Sequence, residues 1–339
     1  MSIGLHIGKN SKLFDDKHKS MMAAIKTEVE TFNMTAISMF QIGPLNKSKN
    51  SMDHQSIKAY CAEKNISIYP HASYIAAGIW LVTQKNRSEN KSKMFIRLVK
   101  DQLVQGKQVA AKGVVFHVPR HTTATIVETM AIISNCKVLN SVRRNDGDLP
   151  MFTLEMPSSR ADDLLTYETP EKLNLLTAAL VAAVEITLPW DICIDTCHMY
   201  AGGINFSPDL SWNTWEMALS DLSRNKISLI HLNGALGKNF GTGKDSHQIP
   251  LSATDSIWGH LLTDEFRGYL ERSTMAEINE INLATKLSDT EVNAIKNSSF
   301  FAIIQFAKKQ NIGMIMEINA KDYKSAKFAM DLVNFLLVL

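Results

Sequence analysis

Short apolar runs alternate along the chain with longer segments in which apolar residues recur every three or four positions. The runs have the length of buried strands, and the period of the longer segments is that of amphipathic helices. This alternation is typical of repeated βα units around a parallel sheet. The predicted strands are Ile3–His6, Ala36–Phe40, Ser67–His71, Gly113–His117, Met151–Glu155, Asp191–Asp195, Ile227–His231 and Gly313–Glu317.

The spacing of these strands predicts the fold class. The first seven strands end 31 to 46 residues apart, the length of one βα unit, whereas the eighth ends 86 residues after the seventh. We therefore predict an α/β protein, a (β/α)8 TIM barrel in a single domain over 1–339. The long final gap predicts an insertion at about 270–310, and 320–339 is predicted as a closing helix.

The composition is that of an ordinary globular protein, with 45% hydrophobic and 21% charged residues. No apolar run reaches the roughly 18 residues of a membrane span, and the N-terminus opens directly into a strand, so we expect neither a membrane segment nor a signal peptide. Four cysteines without a C-x-x-C pair indicate reduced thiols. We expect an intracellular monomer, nuclear, cytoplasmic or virus-encoded.

The net charge of +2 says little, but its distribution is uneven. Residues 41–100 contain ten basic and three acidic side chains, so the local balance is ten minus three, or +7. Such a region suits a solvated helix face, and it also suits a surface that faces phosphate. The sequence leaves both interpretations open.

Histidines and carboxylates occupy the ends of the later strands. The ends of parallel strands converge on one face of a barrel, where active sites lie. His198 follows the sixth strand closely, and the Asp245-x-His247 spacing lets two side chains project in the same direction from an extended segment. The converging set is His71, His117, Glu155, Asp195, His198, His231, Asp245, His247 and Glu317.

Five histidines and four carboxylates at one end of a barrel predict a metal site. A single member could be a helix-capping aspartate or a hydrogen-bonded histidine, but buried charges must be paired or bound to metal. The mixture suits zinc, manganese or iron. Nine ligands exceed the needs of one tetrahedral ion, so we predict two or three ions with a bridging carboxylate. Metal-assisted hydrolysis or phosphoryl transfer is the chemistry such a site favours.

The order of the motifs resembles that of a known family. Asp195-Thr-Cys-His198 is followed by Met-Tyr-Ala-Gly-Gly203, then by His231-Leu-Asn, Asp245-x-His247 and Met316-Glu317. In these motifs, and over nearly its whole length, the chain resembles the endonuclease IV family of apurinic/apyrimidinic endonucleases, zinc-dependent barrel enzymes of base excision repair. The resemblance implies a barrel fold and a trinuclear zinc site, with Mn²⁺ as an alternative at one position.

The resemblance also implies a role for each ligand. His71 and His117 would hold one zinc, which Glu155 would bridge to a second. Asp195, His231 and Glu317 would complete the second site, and His198, Asp245 and His247 would hold the third. Glu155 and Glu317 would be catalytic as metal ligands. No side-chain base would be needed if the metals lower the pKa of water.

The implied substrate is duplex DNA that contains an abasic site. Hydrolysis of the phosphodiester 5′ to that site would leave a 3′-hydroxyl and a 5′-deoxyribose phosphate. Tyr74 matches the aromatic residue that enters the DNA, with Ile75 as a wedge beside it, although Tyr74 could equally be an ordinary loop aromatic. After the second strand the arginine-bearing loop of the family is missing, and Lys47 and Lys49 are the candidate phosphate contacts.

Two other functions fit parts of this pattern. A sugar isomerase or epimerase of the related xylose-isomerase-like barrels also uses carboxylates and histidines at strand ends, but it would not need the third group, His198 with Asp245 and His247. A non-catalytic DNA-binding protein on the same scaffold would have no use for nine ligands. A further departure from the family is Gly234, which stands where an acidic residue often follows His-Leu-Asn.

Overall fold

Eight parallel strands close into a barrel in the computed structural model, which describes residues 1–7, 20–40, 53–83, 88–118, 121–137, 139, 148–160, 167–207, 209, 211–318 and 323–338. The barrel strands are β1 (Ile3–Ile7), β2 (Ala36–Phe40), β3 (Ser67–His71), β4 (Gly113–His117), β5 (Met151–Glu155), β6 (Trp190–Asp195), β7 (Ile227–His231) and β10 (Gly313–Met316). β1 closes the ring, because Leu5 lies opposite both Ile37 and Met316. The predicted (β/α)8 barrel is confirmed.

A small antiparallel ribbon and a layer of helices complete the described structure. The ribbon pairs β8 (Gly234–Ala235) with β9 (His247–Gln248), directly after β7. The helices are α1 (Met21–Phe32), α2 (His54–Glu63), α3 (Glu89–Gln108), α4 (Thr123–Ser134), α5 (Pro170–Ala182), α6 (Thr196–Ala201), α7 (Ser211–Met217), α8 (Asp221–Lys226), α9 (Asp264–Arg272), α10 (Met275–Asn279), α11 (Leu283–Lys286), α12 (Asp289–Lys296), α13 (Ser299–Gln310) and α14 (Tyr323–Val338). Single turns of 3₁₀-helix cover Gly237–Asn239 and Gly259–Leu261, and a longer one covers Tyr74–Leu81.

The strand bounds differ from the predicted ones by one residue where they differ at all. β1 continues to Ile7, and β6 begins at Trp190. β10 ends at Met316, so Glu317 lies one residue beyond the strand, where its backbone N–H donates to the Asn233 side chain instead of to the sheet. Hydrogen bonding to a side chain therefore replaces the last rung of the ladder at this position.

The segment between β9 and β10 explains the long final gap. The short helices α9 to α12 come first, and α13 then packs beside α7 and α14 as the helix that leads into β10. Polar caps fix these short helices, since Thr274 and Ser288 each form a capping box with the glutamate three residues later. The predicted closing helix corresponds to α14. Within the described residues, none of the helices combines the length and apolar character that a membrane span requires.

An apolar layer fills the middle of the barrel. One residue from each of six strands forms a cluster that is separate from the large core between strands and helices, namely Ala36, Tyr69, Val115, Cys193, Leu229 and Ile315. Side chains two positions apart on a strand point to the same side. The residues two positions after Tyr69, Val115 and Leu229 are His71, His117 and His231, so these histidines share the inward side, one layer nearer the carboxyl ends.

One carboxyl group, near the amino ends of the barrel strands, is buried without enough hydrogen bonds or positive charge to stabilise its ionised form. The Oδ1 atom of Asp191 on β6 is buried and has no hydrogen-bond partner among the residues that the structure describes. Burial raises the pKa of this carboxyl from its ordinary value of 3.8 to about 6, although hydroxyl groups of Ser228 and Thr153 lie close enough to favour the ionised form. The folded protein therefore binds a proton at Asp191 more tightly than the unfolded chain does.

Replacement of Asp191 by asparagine is expected to stabilise the protein at high pH. The pKa of Asp191 is higher in the folded protein than in the unfolded chain. Its contribution to the free energy of unfolding is therefore fully present below the unfolded pKa, near 4, and is lost as the pH rises through the folded pKa, about 6. An amide stays neutral throughout, so Asp191→Asn should increase the free energy of unfolding at pH 8 by about 3 kcal/mol and change it little at pH 4. Urea denaturation at both pH values measures this, and an equal gain at pH 4 would contradict it.

Candidate metal centre

The structure brings all nine predicted side chains together at the carboxyl end of the barrel. Five of them are the last residues of β3 to β7, and Glu317 directly follows β10. His198 lies in α6, Asp245 lies two residues before β9, and His247 is the first residue of β9. Their potential ligand atoms form three groups in which the atoms lie within 4.8 Å of one another, and a fourth such group joins Asp195 and His247 to Cys197. The first group is His71, His117 and Glu155; the second is Glu155, Asp195, His231 and Glu317; the third is His198, Asp245 and His247.

Glu155 belongs to two of the groups because its two oxygens face different partners. The carboxylate is completely buried. Oε2 lies 3.0 Å from Nε2 of His71 and 3.3 Å from Nε2 of His117, whereas Oε1 lies 2.9 Å from Nδ1 of His231. This is the arrangement of a carboxylate that can bridge two cations.

The second group surrounds the His231 imidazole with carboxylates. Besides Glu155, Nδ1 of His231 lies 3.3 Å from Oε2 of Glu317 and 3.6 Å from Oδ2 of Asp195. Asp195 also caps α6, since its Oδ1 accepts the backbone N–H of His198 at 2.9 Å. One aspartate thus ends a strand, begins a helix and keeps Oδ2 available for the centre.

The third group depends on the segment after β7 and on α6. Oδ2 of Asp245 lies 3.5 Å from Nε2 of His198, and its Oδ1 lies 3.0 Å from Nε2 of His247. The Asp245 side chain is 45% exposed, in contrast to Glu155, which makes this group the open side of the centre.

Backbone carbonyls fix the tautomer of three histidines. Nδ1 of His71 lies 2.8 Å from the Ala72 carbonyl, Nδ1 of His198 lies 2.9 Å from the Met156 carbonyl, and Nδ1 of His247 lies 3.2 Å from the Glu317 carbonyl. A carbonyl can only accept, so each Nδ1 carries a proton and donates it. In a neutral ring Nε2 then presents a lone pair, and in all three histidines Nε2 faces a carboxylate. The lone pairs of Nε2 and of the carboxylate repel each other at such distances unless a proton or a metal ion lies between them. Metal-binding histidines are commonly held in one tautomer by a hydrogen bond of this kind at the other ring nitrogen.

The carboxylates of the centre hold their charge despite burial. Burial by itself would raise the pKa of Glu155, but the imidazoles of His117 and His231 outweigh it and hold that pKa well below its usual range. The same balance depresses the pKa of Glu317 and of Asp245.

The imidazoles respond in opposite directions. Burial lowers the pKa of His117 to about 4, because Glu155 offsets it only in part. At His247 burial is overcome by Asp195 and Asp245, which raise its pKa to about 9. A centre with ionised carboxylates therefore requires positive charge, from protons or from metal ions.

The spacing of the donor atoms suits metal ions. Ligands at about 2.0–2.2 Å around a tetrahedral zinc stand roughly 3.3–3.6 Å from one another. The separations of 3.3 Å for His117 to Glu155, 3.3 Å for His231 to Glu317 and 3.5 Å for His198 to Asp245 fall in this range. Nitrogen and carboxylate donors are also the ligand types that zinc and manganese take in proteins. The residues present therefore fit the binding of metal ions.

Asn233 is a residue of the site that the sequence reasoning missed. Its buried side chain donates to Oδ2 of Asp195 at 2.7 Å and accepts the backbone N–H of Glu317 at 2.7 Å. Its own backbone N–H donates to the Thr196 hydroxyl at 2.9 Å. It stands two positions after His231 in the His-Leu-Asn motif, which was the available signal.

Asp255 and His6 support the centre from further away. Asp255 accepts backbone N–H groups of Ala235, Leu251, Ile257 and Trp258 and so ties the chain around the β8–β9 ribbon. A side chain at Gly234 would meet the Asp255 carboxylate at 2.5 Å, which explains why glycine stands there. Nδ1 of His6 lies 3.5 Å from Oε1 of Glu317 and 3.2 Å from the Ser38 hydroxyl.

The predicted DNA contacts have different surroundings. Tyr74 is 50% exposed and sets its ring edge-on to His117, with centroids 5.2 Å apart. Ile75 is partly buried and packs against the apolar core. Lys47 and Lys49 lie outside the described residues.

Comparison with known proteins gives the same resemblance as the motifs. No protein-family model matches the chain. The chain is 23% identical over 254 residues to a probable endonuclease 4 of Streptomyces avermitilis, which covers 69% of this chain and 71% of that protein. It is 21% identical over 249 residues to a probable endonuclease 4 of Finegoldia magna, covering 73% and 79%. The resemblance to endonuclease IV proteins is thereby confirmed.

Solved structures share the fold over the full chain. The crystal structure of AsfvAP:AG superposes with a TM-score of 0.73 at 17% identity and covers 99% of both chains. Endonuclease IV from Thermus thermophilus gives 0.60 at 16% identity, covering 100% and 99%. A D-tagatose 3-epimerase-like protein gives 0.55 at 14% identity, covering 100% and 97%. The barrel is therefore shared by nucleases and epimerases, and the site has to distinguish between them.

Removal of the Asn233 side chain is expected to destabilise the protein through the centre. Asn233→Ala leaves the Glu317 N–H and an Asp195 oxygen without their buried partner, so the free energy of unfolding should fall by about 2–4 kcal/mol. Urea denaturation of the metal-free protein measures the loss. Asn279→Ala, at an exposed asparagine that ends α10, is the control and should change stability by less than about 0.5 kcal/mol; a similar loss in both variants would contradict the assigned contacts.

Proposed function

We propose that the protein is a metal-dependent apurinic/apyrimidinic endonuclease that hydrolyses the phosphodiester 5′ to an abasic site in duplex DNA. The products are a 3′-hydroxyl and a 5′-deoxyribose phosphate. The observation that carries this proposal is the arrangement of three ligand groups around the buried, two-sided Glu155 carboxylate. The resemblance to proteins named endonuclease 4 supports it independently.

Three Zn²⁺ ions are the proposed cofactors, with Mn²⁺ as an alternative at one position. His71 and His117 would hold the first ion, and Asp195, His231 and Glu317 would hold the second, with Glu155 as a ligand of both. His198, Asp245 and His247 would hold the third. When bound, such ions lower the pKa of water and neutralise charge on the attacking and leaving oxygens of a phosphodiester.

The side chains of this protein contribute fixed positions rather than proton transfer. Glu155 sets the separation of the first two groups, because its carboxylate is held between His71 and His231. Asn233 holds Asp195 and the backbone of Glu317 at once, which orients the carboxylates of the second group. Pre-oriented ligands of this kind spare the site reorganisation during the reaction.

The proposed partner is double-stranded DNA that lacks a base at one position. Tyr74 projects an exposed ring beside His117, at the rim of the first group, where it can enter the gap that a missing base leaves. Ile75, Lys47 and Lys49 stay proposed contacts, and we expect a monomer to act on one lesion. The epimerase alternative has no role for the third group, and this is why the endonuclease is favoured over a sugar isomerase.

Cleavage of a synthetic lesion tests the function directly. The purified protein is expected to nick a duplex with one tetrahydrofuran abasic analogue on the 5′ side of that analogue. The analogue cannot undergo β-elimination, so the nick must arise by hydrolysis. Prolonged treatment with a chelator should abolish the nick, and zinc should restore it.

Controls separate the possible outcomes. An undamaged duplex of the same sequence should stay intact. If protein with bound metal leaves the tetrahydrofuran duplex uncut, the endonuclease proposal is wrong, and a screen of small ketose sugars becomes the next experiment.

The three groups predict distinct metal losses. His198→Ala should remove about one ion per molecule and leave the other two, because His198 belongs to the third group only. Glu155→Ala should remove more than one, since two groups share this carboxylate. Both variants should slow cleavage by at least about 100-fold, the order of loss expected when metal ligation is disturbed.

Native mass spectrometry counts the ions in each variant. His260→Ala changes an exposed histidine remote from the three groups and serves as the control. Retention of all ions in Glu155→Ala would contradict the bridging assignment.

A further inference from the structure

An exposed aromatic side chain lies between two lysines in the segment that leads to the third group. Phe240 is 44% exposed, and Lys238 and Lys244 on either side of it are exposed as well. Neither lysine forms an ion pair with another described residue. From Gly234 to Lys244 the sequence contains no acidic residue. An exposed aromatic ring with lysines on either side is a combination that proteins use to stack on bases and to bind phosphates of nucleic acids.

The ring is supported from below. The buried Tyr200 side chain lies against Phe240, with ring centroids 4.9 Å apart and planes inclined at 58°. An aromatic contact of this kind fixes the orientation of the exposed ring at little entropic cost on binding. The free part of Phe240 therefore offers a pre-oriented stacking surface.

The backbone around Phe240 is also held in place. The N–H of Gly241 donates to the Tyr200 carbonyl at 3.2 Å, and the N–H of Gly243 donates to the Ala201 carbonyl at 2.9 Å. The Ser158 hydroxyl donates to the Gly243 carbonyl at 3.1 Å. Gly241 and Gly243 have φ angles of +67° and +70°, in the left-handed region that favours glycine. These bonds tie the segment to α6 and to the residues after β5.

The two exposed aromatic residues follow different strands at the same end of the barrel. Tyr74 follows β3 and Phe240 follows β7, and four steps around the ring separate β3 from β7 in either direction. The metal centre lies between them, since Tyr74 contacts His117 and the Phe240 segment continues into Asp245. Exposed aromatic rings thus flank the centre on two sides of the same face.

We propose that Phe240, with Lys238 and Lys244, forms a second DNA contact in which the ring stacks on an unstacked base of a damaged duplex and the lysines bind adjacent phosphates. The inference rests on the proposed function for the identity of the DNA. Undamaged duplex has its bases stacked, so Phe240 can stack only where a lesion has freed a base. The lysines bind phosphate in either duplex.

The two contributions can be separated with two substrates. The Michaelis constant for the tetrahydrofuran duplex reports on damaged DNA, and inhibition of that reaction by undamaged duplex reports on intact DNA. Phe240→Leu keeps an apolar side chain against Tyr200 but removes the ring face. It should raise KM about tenfold while kcat and the inhibition constant of undamaged duplex change less than about twofold.

The lysine variant should behave differently. Lys238→Ala with Lys244→Ala should weaken binding of both duplexes by similar factors and reduce the slope of log affinity against log salt by about 2. Phe240→Trp should retain the wild-type KM because it retains a stacking face. Met217→Ala, at an exposed apolar residue on α7, is the surface control and should change nothing.

The possible results separate this inference from the proposed function. Equal changes for both duplexes in Phe240→Leu, or no change for either, would overturn the stacking contact although the enzyme cleaves. If the wild-type protein does not cleave at all, the endonuclease proposal fails, and fluorescence anisotropy with the same two uncut duplexes still decides the contact. Normal thermal unfolding of Phe240→Leu with recovery in Phe240→Trp shows that a loss is not due to misfolding.

Discussion

The centre depends on one buried carboxylate, that of Glu155, whose charge must be compensated by its neighbours. Glu155 is completely buried, and its two oxygens face imidazoles on opposite sides. A lone ionised carboxylate in such a place would cost many kcal/mol, so the surrounding positive charge is a condition of the fold rather than an addition to it. Metal ions bound between neighbouring groups would supply this positive charge, and fewer of the histidines would then have to be protonated.

The barrel makes this concentration of charge tolerable by separating it from the rest of the interior. The apolar cluster of Tyr69, Val115, Leu229 and their neighbours lies directly beneath the histidines, one side-chain layer down. It excludes water from the lower side, which strengthens every electrostatic interaction above it. The period of two along each strand creates both layers at once, because the same strand faces supply the apolar residue and, two positions later, the ligand.

Most of the centre could be predicted from the sequence because it consists of strong local signals. His71, His117 and His231 each end an apolar run, and their shared position at strand ends indicates a common site where one histidine alone would not. Asn233, Asp255 and Phe240 gave weaker signals, since a neutral amide, an aspartate in a loop and a loop phenylalanine are common everywhere. Their importance comes from pairings across the fold, such as Asn233 with Asp195 and Glu317, that spacing along the chain does not encode. The short strand β10 shows the same limit, because only the structure reveals that Asn233 replaces its last ladder bond.

The ligands of the third group lie on different elements of the fold from those of the other two groups. This difference bears on the proposed substrate. His198 and Asp245 stand on a short helix and on a connecting segment, not on strand ends, and Asp245 is much the more exposed carboxylate. The segment from Gly237 to Asp245 carries both this ligand and Phe240, and its hydrogen bonds to Tyr200 and Ala201 link it to α6. A contact made at Phe240 is therefore made on the same connected segment as the ligand Asp245. A small sugar inside the barrel mouth would gain nothing from this coupling. Under the proposed function, a long polyanion that lies across the face would contact this segment and the ligands together, which a small sugar could not do.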